Sequence, residues 1–431
     1  MSRWGAVLQA ARPERRGRVT RVRGLGVEVR GIDGAVGDLV ELGDSVEAEV
    51  VATGPDGLSC MPLAATTGLT IGMPVRGRGG PLRVPVGAGL LGRVLDGLGR
   101  PIDGKGPIQA PLVDLDHAPP SVLGRDRIAT PMALGVRALD TLVSVGRGQR
   151  VGLFAGSGVG KSSLLSMVAR GTEADATVIA LVGERGREVR EFLEDDLGPE
   201  GLARAVVVVS TSDQPAMARI RAAYTATRIA EAFRDDGQHA ILMMDSLTRV
   251  AMAQREIGLS AGEPPATRGY PPSTFSILAG LLERAGTDRG GSVTGIYTVL
   301  VDGDDHNEPI ADAVRSILDG HVVLDRALAL TGHHPAIDVL ASVSRVAGKI
   351  TTAAQRAEAG TLRAVLAARR SANDLIDIGA YQPGANPRVD AALANEQSIS
   401  AFLTQPLDEI SPAADSWRRL QQLVADLGGT P

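Results

Sequence analysis

Residues 151–163 read Val151-Gly152-Leu153-Phe154-Ala155-Gly156-Ser157-Gly158-Val159-Gly160-Lys161-Ser162-Ser163. The apolar start predicts a buried strand, and the Leu164-Leu165 that follows predicts the first turn of a helix. Glycines between the two let the backbone curl so that successive N–H groups point inward, which is how a loop before a helix N-terminus cradles phosphate. The stretch therefore predicts a strand, a phosphate-binding loop and a helix, as in α/β proteins.

The loop also offers the charged and polar groups that a bound Mg-ATP requires. Lys161 supplies a positive charge for the β- and γ-phosphates, and the hydroxyl of Ser162 is a ligand for Mg²⁺. The strict motif has glycine where Ala155 stands, and its Ala-tolerant form covers this departure. An ordinary strand-turn-helix connection is the alternative. The predicted nucleotide-binding residues of the loop are Ala155, Gly156, Ser157, Gly158, Val159, Gly160, Lys161, Ser162 and Ser163.

Further apolar runs recur between about residues 150 and 345. Continuous apolarity is typical of strands that are covered on both faces, as in a parallel sheet. One run ends in Asp245, at the sheet edge where α/β proteins bind ligands, so we expect Asp245 to hold the Mg²⁺ shell through water. A helix cap or a turn is the alternative for this carboxylate. The other runs are 151–154, 178–182, 205–209 and 297–301.

The flanking regions differ in pattern from this central part. From Gly17 to about Pro85, short apolar runs alternate with glycines, which predicts a small antiparallel β-barrel. From about Ile350, Ala, Leu, Arg and Glu recur at helical spacing. We therefore predict a β-barrel domain over 1–86, a nucleotide-binding domain over 87–348 and a helical domain over 349–431.

Composition limits the kinds of partner and compartment. The 431 residues carry a net charge of −5, which gives no global attraction to nucleic acid, although arginines cluster between Arg12 and Arg23. Cys60 is the only cysteine, so no intramolecular disulfide can form. No apolar run is long enough for a membrane helix, and the opening Met1-Ser2-Arg3-Trp4 lacks a signal-peptide core. We expect a cytoplasmic protein that meets a membrane only peripherally, at its inner face.

Further motifs resemble a known family. The phosphate loop, together with the stretch from Val182-Gly183-Glu184-Arg185 to Val189, resembles the rotary-type hexameric ATPases. Within that superfamily the chain is similar to the flagellar and type III secretion export ATPases, and the flagellar branch is favoured. The motifs that carry this resemblance are Gly262-Glu263-Pro264-Pro265-Ala266-Thr267-Arg268-Gly269-Tyr270-Pro271-Pro272, Gly303-Asp304-Asp305-His306-Asn307-Glu308-Pro309-Ile310-Ala311-Asp312 and Gly379-Ala380-Tyr381-Gln382-Pro383-Gly384.

The resemblance implies an architecture and a set of catalytic roles. It implies a P-loop (RecA-like) core between an N-terminal β-barrel and C-terminal helices, assembled as a homohexamer. Glu184 would activate the attacking water, and Arg185 would hold phosphate oxygens or nearby carboxylates. Arg345 would be the arginine finger that enters the neighbouring site, with a surface salt bridge as the alternative. The implied partners are export-apparatus proteins, a stalk subunit and cargo–chaperone complexes.

One position departs from the family pattern. A tyrosine that stacks on adenine usually precedes Pro335, whereas this chain has His333 and His334 there. An imidazole still presents a flat face, but it offers less apolar area than a phenol. We therefore predict that His334→Tyr tightens ATP binding or sharpens the preference for ATP over other nucleotides.

Other functions are compatible with a ring-shaped ATPase core. An RNA-translocating helicase would need aromatic platforms in its barrel, and Trp4 is the only aromatic residue before Gly152. A ring subunit that binds nucleotide without hydrolysing it would be insensitive to Glu184→Gln. ATP synthesis would use the same residues, because a catalyst serves both directions.

Overall fold

The computed structural model describes residues 15–288, 290–301 and 308–428. Its core is a mostly parallel α/β sheet, preceded by a closed antiparallel barrel and followed by helices, as predicted. Trp4, Arg12 and residues 303–307 of the motif Gly303–Asp312 lie outside the described residues. In the described part of the chain, no helix is both long and apolar enough to cross a membrane.

The barrel closes through six strands in the order β1-β2-β5-β4-β3-β6. Alternate residues point inward, so that Val29, Val50 and Val75 fill its core with the thiol of Cys60. Its strands are β1 (Arg16–Arg23), β2 (Gly26–Arg30), β3 (Asp38–Leu42), β4 (Val46–Gly54), β5 (Gly57–Pro62) and β6 (Pro74–Pro81).

The central sheet has the order β17-β16-β10-β15-β13-β11-β12-β8, with β14 paired to β15. Its interior strands are parallel, whereas β17 runs antiparallel to β16 at one edge. A separate pair joins β7 (Arg83–Pro85) to β9 (Leu112–Asp114). The strands of the sheet are β8 (Arg93–Asp96), β10 (Arg150–Ala155), β11 (Ala176–Val182), β12 (Ala205–Ser210), β13 (His239–Asp245), β14 (Gly286–Asp288), β15 (Gly291–Leu300), β16 (Gly320–Leu324) and β17 (Val343–Ser344).

Both faces of this sheet are buried, which accounts for its continuously apolar strands. In β12, Val206 and Val208 belong to one hydrophobic cluster, while Val207 and Val209 belong to the cluster on the opposite face. A parallel sheet covered on both faces requires apolar residues at every position of a strand. All the apolar runs seen in the sequence lie in these strands or reach one residue past them.

Helices cover the two faces and form the C-terminal part. The described helices are α1 (Arg137–Thr141), α2 (Lys161–Gly171), α3 (Gly186–Glu191), α4 (Gly198–Ala203), α5 (Ala216–Asp235), α6 (Leu247–Ser260), α7 (Pro272–Glu283), α8 (Pro309–Ile317), α9 (Arg326–Leu330), α10 (Ala347–Ile350), α11 (Ala353–Asp377), α12 (Pro387–Ala394), α13 (Glu396–Leu403) and α14 (Ala413–Asp426). A π-helical turn, Phe192–Leu197, joins α3 to α4.

Polar contacts fix the outer parts against the sheet. Arg221 of α5 donates from Nε to Glu49 of the barrel at 2.6 Å. On the other side, the buried Arg137 of α1 forms an ion pair with Glu409 and donates to the carbonyl of Phe402 at 3.1 Å. We propose that the domain divisions lie at 86/87 and 348/349, as the sequence predicts.

Candidate active site

The phosphate loop joins the end of β10 to the start of α2. Gly158 and Gly160 have φ angles of 76° and 92°, a left-handed conformation that favours glycine. Gly160 caps α2 without a side chain, so the first N–H groups of the helix remain directed toward the loop. An anion placed there meets these donors and the positive end of the helix dipole.

Three predicted site residues converge at the carboxyl edge of the sheet. Lys161 begins α2, Asp245 ends β13, and Glu184 follows β11 after one glycine. The Nζ of Lys161 lies 2.5 Å from Oδ1 of Asp245 and 3.6 Å from Oε1 of Glu184. The three side chains are between 5% and 15% exposed, so these charges interact with little screening by water.

The surroundings of Asp245 suit a hydrated divalent cation. Thr298 of β15 donates its hydroxyl to Oδ1 of Asp245 at 2.8 Å, which fixes the carboxylate. Ser162 and Asp245 line a cavity of about 160 Å³ together with Glu184 and Glu188. No cluster of three or more His, Cys, Asp or Glu side chains that could hold a metal ion occurs among the described residues. The cavity beside Ser162 and Asp245 nevertheless fits Mg²⁺, because this ion binds through one or two carboxylates while phosphates and water supply its other ligands.

Glu184 titrates near neutral pH. Burial and then the nearby negative charge of Asp245, opposed by the positive charge of Lys161, raise the pKa of Glu184 to about 7. A hydrogen bond to Glu188 also favours the protonated form of Glu184. A carboxyl group with a pKa near neutrality can take up a proton during a reaction and release it afterwards.

Arg185 lies beside this cluster on the exposed surface. Its Nη1 donates to Oε1 of Glu188 at 2.7 Å, and its side chain is 77% exposed. Burial alone would raise the pKa of Glu188, but the hydrogen bonds from Glu184 and Arg185 outweigh this effect and lower it. Arg185 thus holds a nearby carboxylate, one of the two roles considered for it.

Two further residues of this edge had no predicted role. Glu188 lies on α3, four residues after Glu184, and lines the same cavity. Arg249 lies on α6, four residues after Asp245, and its Nε is buried without a hydrogen-bond partner in the described part of the chain. Their positions just after the ends of β11 and β13 were the signal in the sequence that could have identified them.

A second, larger cavity lies on the other side of the phosphate loop. Its volume is about 580 Å³, and Gly160, Met167, His334 and Leu407 are among the residues that line it. The Nδ1 of His334 is 3.9 Å from the position that a Cβ on Gly160 would occupy. The structure therefore brings His334 to the phosphate loop, where the sequence predicts a base-binding residue.

Arg345 lies away from the phosphate loop of its own chain. Ser344 pairs with Gly320 at the amino end of β16, whereas the loop leaves β10 at the level of Leu324. Four strand residues, roughly 13 Å, separate these levels. The exposed Arg345 donates to the carbonyl of Arg315 at 3.4 Å. Arg345 therefore lies at the amino ends of the parallel strands, whereas Lys161 lies at their carboxyl ends. Its side chain cannot span that distance to the phosphate loop of its own chain.

Comparisons with known proteins agree with this architecture. Residues 135–344 match the nucleotide-binding domain of the ATP synthase alpha/beta family, and residues 351–422 match the T3SS EscN ATPase C-terminal domain. The chain is 51% identical over 420 residues to the flagellum-specific ATP synthase of Bacillus subtilis (strain 168), with 96% of each chain covered. It is 48% identical over 418 residues to the type 3 secretion system ATPase of Xanthomonas euvesicatoria, covering 96% of this chain and 95% of that protein.

A solved structure extends the similarity to the whole fold. The assembled ATPase EscN of the enteropathogenic E. coli type III secretion system matches with a TM-score of 0.89 and 43% identity. The match covers 95% of this chain and all of that chain. EscN in complex with its central stalk EscO matches with a TM-score of 0.88 over the same share of both chains, again at 43% identity.

Proposed function

Because the chain belongs to the family of flagellum-specific ATP synthases and type III secretion ATPases, we propose that it energises protein export by hydrolysing Mg-ATP at sites shared between neighbouring copies of a six-membered ring. ATP hydrolysis by a P-loop enzyme follows from the family itself. The observation that carries the shared site is the separation of Arg345 from its own phosphate loop, across the length of the sheet.

The residues of the loop bind and orient the triphosphate. The backbone N–H groups of the loop and the N-terminus of α2 contact its oxygens, and Lys161 neutralises the β- and γ-phosphates. Bound Mg²⁺ withdraws electron density from the phosphate oxygens, and Ser162 and Asp245 are the side chains that would hold it. Glu188 lines the same cavity and would orient a water of that cation.

Glu184 is the group that positions the attacking water. Its carboxylate lies 3.6 Å from the Nζ of Lys161, the residue that neutralises the β- and γ-phosphates. In its ionised form it accepts a hydrogen bond from the water and takes up the proton as the phosphoryl group is transferred. A low exposure, 15%, limits competing bulk water at this carboxylate.

Arg345 of one copy completes the site of the next copy. Its guanidinium offsets the charge that develops on the transferred phosphoryl group, an effect of about 10³ to 10⁵ in rate for such arginine fingers. Its exposed position on the outer edge of the sheet is what an inter-subunit role requires. A ring of identical chains then carries one complete site per interface.

The partners are proposed from the relatives. EscN assembles and binds a central stalk, so we assign this chain a stalk partner as well. Two exposed apolar side chains, Leu375 near the end of the long helix α11 and Ile378 just after it, suit a helical partner. The relatives at 51% identity are flagellum-specific, so we propose flagellar export, in the cytoplasm at the inner face of the cell membrane.

A concentration series tests this function directly. ATP turnover per chain should rise with protein concentration as copies assemble and complete each other's sites. Lys161→Ala and Glu184→Gln should abolish this turnover at every concentration. Turnover per chain that stays constant upon dilution, in a protein that remains monomeric, would contradict the shared site.

A further inference from the structure

We propose that this enzyme accepts nucleoside triphosphates regardless of their base, so that GTP, CTP and UTP are substrates as well as ATP. The proposal rests on the proposed function, because it concerns the substrate of the same phosphate loop. A cavity of about 580 Å³ adjoins the loop on the side away from Glu184.

Three segments of the chain form the walls of this cavity. Gly160 and Met167 belong to the phosphate loop and α2, His334 and Ala336 to the segment before β17, and Thr404–Leu407 to the segment after α13. The triphosphate end of a nucleotide is fixed at the loop, so this cavity is where its base must lie. A volume of this size holds a purine or a pyrimidine with its ribose.

The buried amide of Gln405 could in principle read a base, but its hydrogen bonds are made within the chain. Its Oε1 accepts from the backbone N–H of Arg137 at 3.0 Å. Its Nε2 donates to the carbonyls of Gly135 and Glu409, both at 2.8 Å. Gln405 thereby fastens the C-terminal helices to α1, and reading a base would break that connection.

The neighbouring polar groups of the wall are engaged in the same way. The hydroxyl of Thr404 donates to the carbonyl of Ser400 at 2.7 Å. The carbonyls of His334 and Ala336 accept from Gln405 and Asp325, both at 2.8 Å. Recognition of a base edge needs donors and acceptors directed at it, and these groups are directed into the protein. The other polar side chain of the lining, Ser163, belongs to the phosphate loop and so lies at the triphosphate end of the cavity.

His334 provides the flat surface of the cavity. Its ring makes no hydrogen bond within residues 15–288, 290–301 and 308–428, and it is exposed to solvent at the cavity mouth. Every base has a π-face, so stacking on an aromatic ring tolerates all four bases. Shape and stacking alone distinguish related ligands by about 10² at most, whereas hydrogen bonds to an edge reach 10⁴ to 10⁵.

The test compares kcat/KM for ATP, GTP, CTP and UTP in the wild-type protein at the concentration where it assembles. We expect ATP to exceed each of the others by less than about 100-fold, since no edge is read. A preference for ATP above that ratio over all three would overturn the proposal. Competition of unlabelled GTP and CTP against a fluorescent ATP analogue should give the same ranking without catalysis.

Two histidine variants test whether the ring of His334 is the surface on which the base stacks. His334→Tyr enlarges the stacking face and should lower the KM for ATP and GTP more than for CTP and UTP, because purines overlap it more fully. His333→Tyr is the matched control, because His333 does not line the cavity, and its ratios should equal those of the wild type. Equal KM changes for purines and pyrimidines in His334→Tyr would overturn the role of His334. Loss of hydrolysis of all four nucleotides in the wild type would contradict the proposed function instead.

Discussion

At the scale of single residues, the site depends on the hydrogen bond between two carboxyl groups, Glu184 and Glu188. Burial and the charge of Asp245 raise the pKa of Glu184 to about 7, and Arg185 helps to keep Glu188 ionised. Near neutral pH, Glu184 is therefore partly protonated, and only its ionised fraction can act as the base. Through Glu188, the exposed Arg185 is thus linked to the protonation state of Glu184.

Removal of the base should separate nucleotide binding from turnover. Glu184→Gln preserves the shape of the side chain but cannot take up a proton, so kcat should fall by about 10² to 10⁴. Binding of Mg-ATP, measured with a fluorescent analogue, should be retained because Lys161 and the loop are unchanged. A variant with wild-type kcat would show that this carboxylate does not act as the base.

The pH dependence of kcat/KM should follow Glu184. The free enzyme loses activity as pH falls through about 7, because Glu184 then takes up the proton that it must lack as a base. In Glu188→Gln the hydrogen-bonded negative charge is removed, the pKa of Glu184 falls, and the acid limb moves to lower pH. Glu194→Gln, a change at an exposed residue that pairs with Arg190, is the control and should leave the limb in place. An unshifted limb in Glu188→Gln would contradict the coupling.

At the scale of elements, a tight turn after β11 aims Glu184 at the phosphate loop. Gly183 has a φ of 73°, and a Cβ added there would lie 2.8 Å from the Cβ of Arg249. The turn and the start of α6 therefore pack so closely that only glycine fits. The turn follows the end of β11 and α6 begins two residues after the end of β13, so Glu184 and Asp245 lie together at the carboxyl ends of these strands.

Gly183→Ala should destabilise the protein and misplace its base. The left-handed backbone alone costs a non-glycine residue about 1–3 kcal/mol, and the contact with Arg249 adds to this. Urea unfolding should show that loss, and kcat should fall as Glu184 moves. Gly186→Ala is the control, because a Cβ there meets nothing within 4 Å. Equal stability of the two variants would contradict the argument.

The sequence predicts the elements better than it predicts the site. Strands such as β11 and β12 are evident because both of their faces are buried, and the glycines of the phosphate loop have a local physical reason. Glu188 and Arg249 follow the ends of β11 and β13, but their contacts at the site depend on how α3 and α6 pack, which their position in the sequence alone does not give. The hydrogen bond from the backbone N–H of Arg137 to Gln405 joins residues 268 positions apart and is likewise visible only in the fold.

At the scale of the whole molecule, the sheet separates two halves of one reaction centre. Lys161 and Glu184 lie at its carboxyl edge, while Arg345 leaves from β17 beside the amino end of β16. No movement of a side chain closes that gap within one chain. A head-to-tail ring, in which each interface joins unlike faces of identical subunits, resolves it.

Mixing two inactive variants measures this claim most directly. Lys161→Ala lacks the phosphate-binding lysine but keeps Arg345, and Arg345→Ala keeps the loop but lacks the arginine. In an equal mixture, about one quarter of the interfaces join an intact loop to an intact arginine, so about a quarter of the wild-type ATPase rate should return. A mixture that forms rings yet stays as inactive as its components, or an Arg345→Ala protein that is fully active alone, would contradict the account.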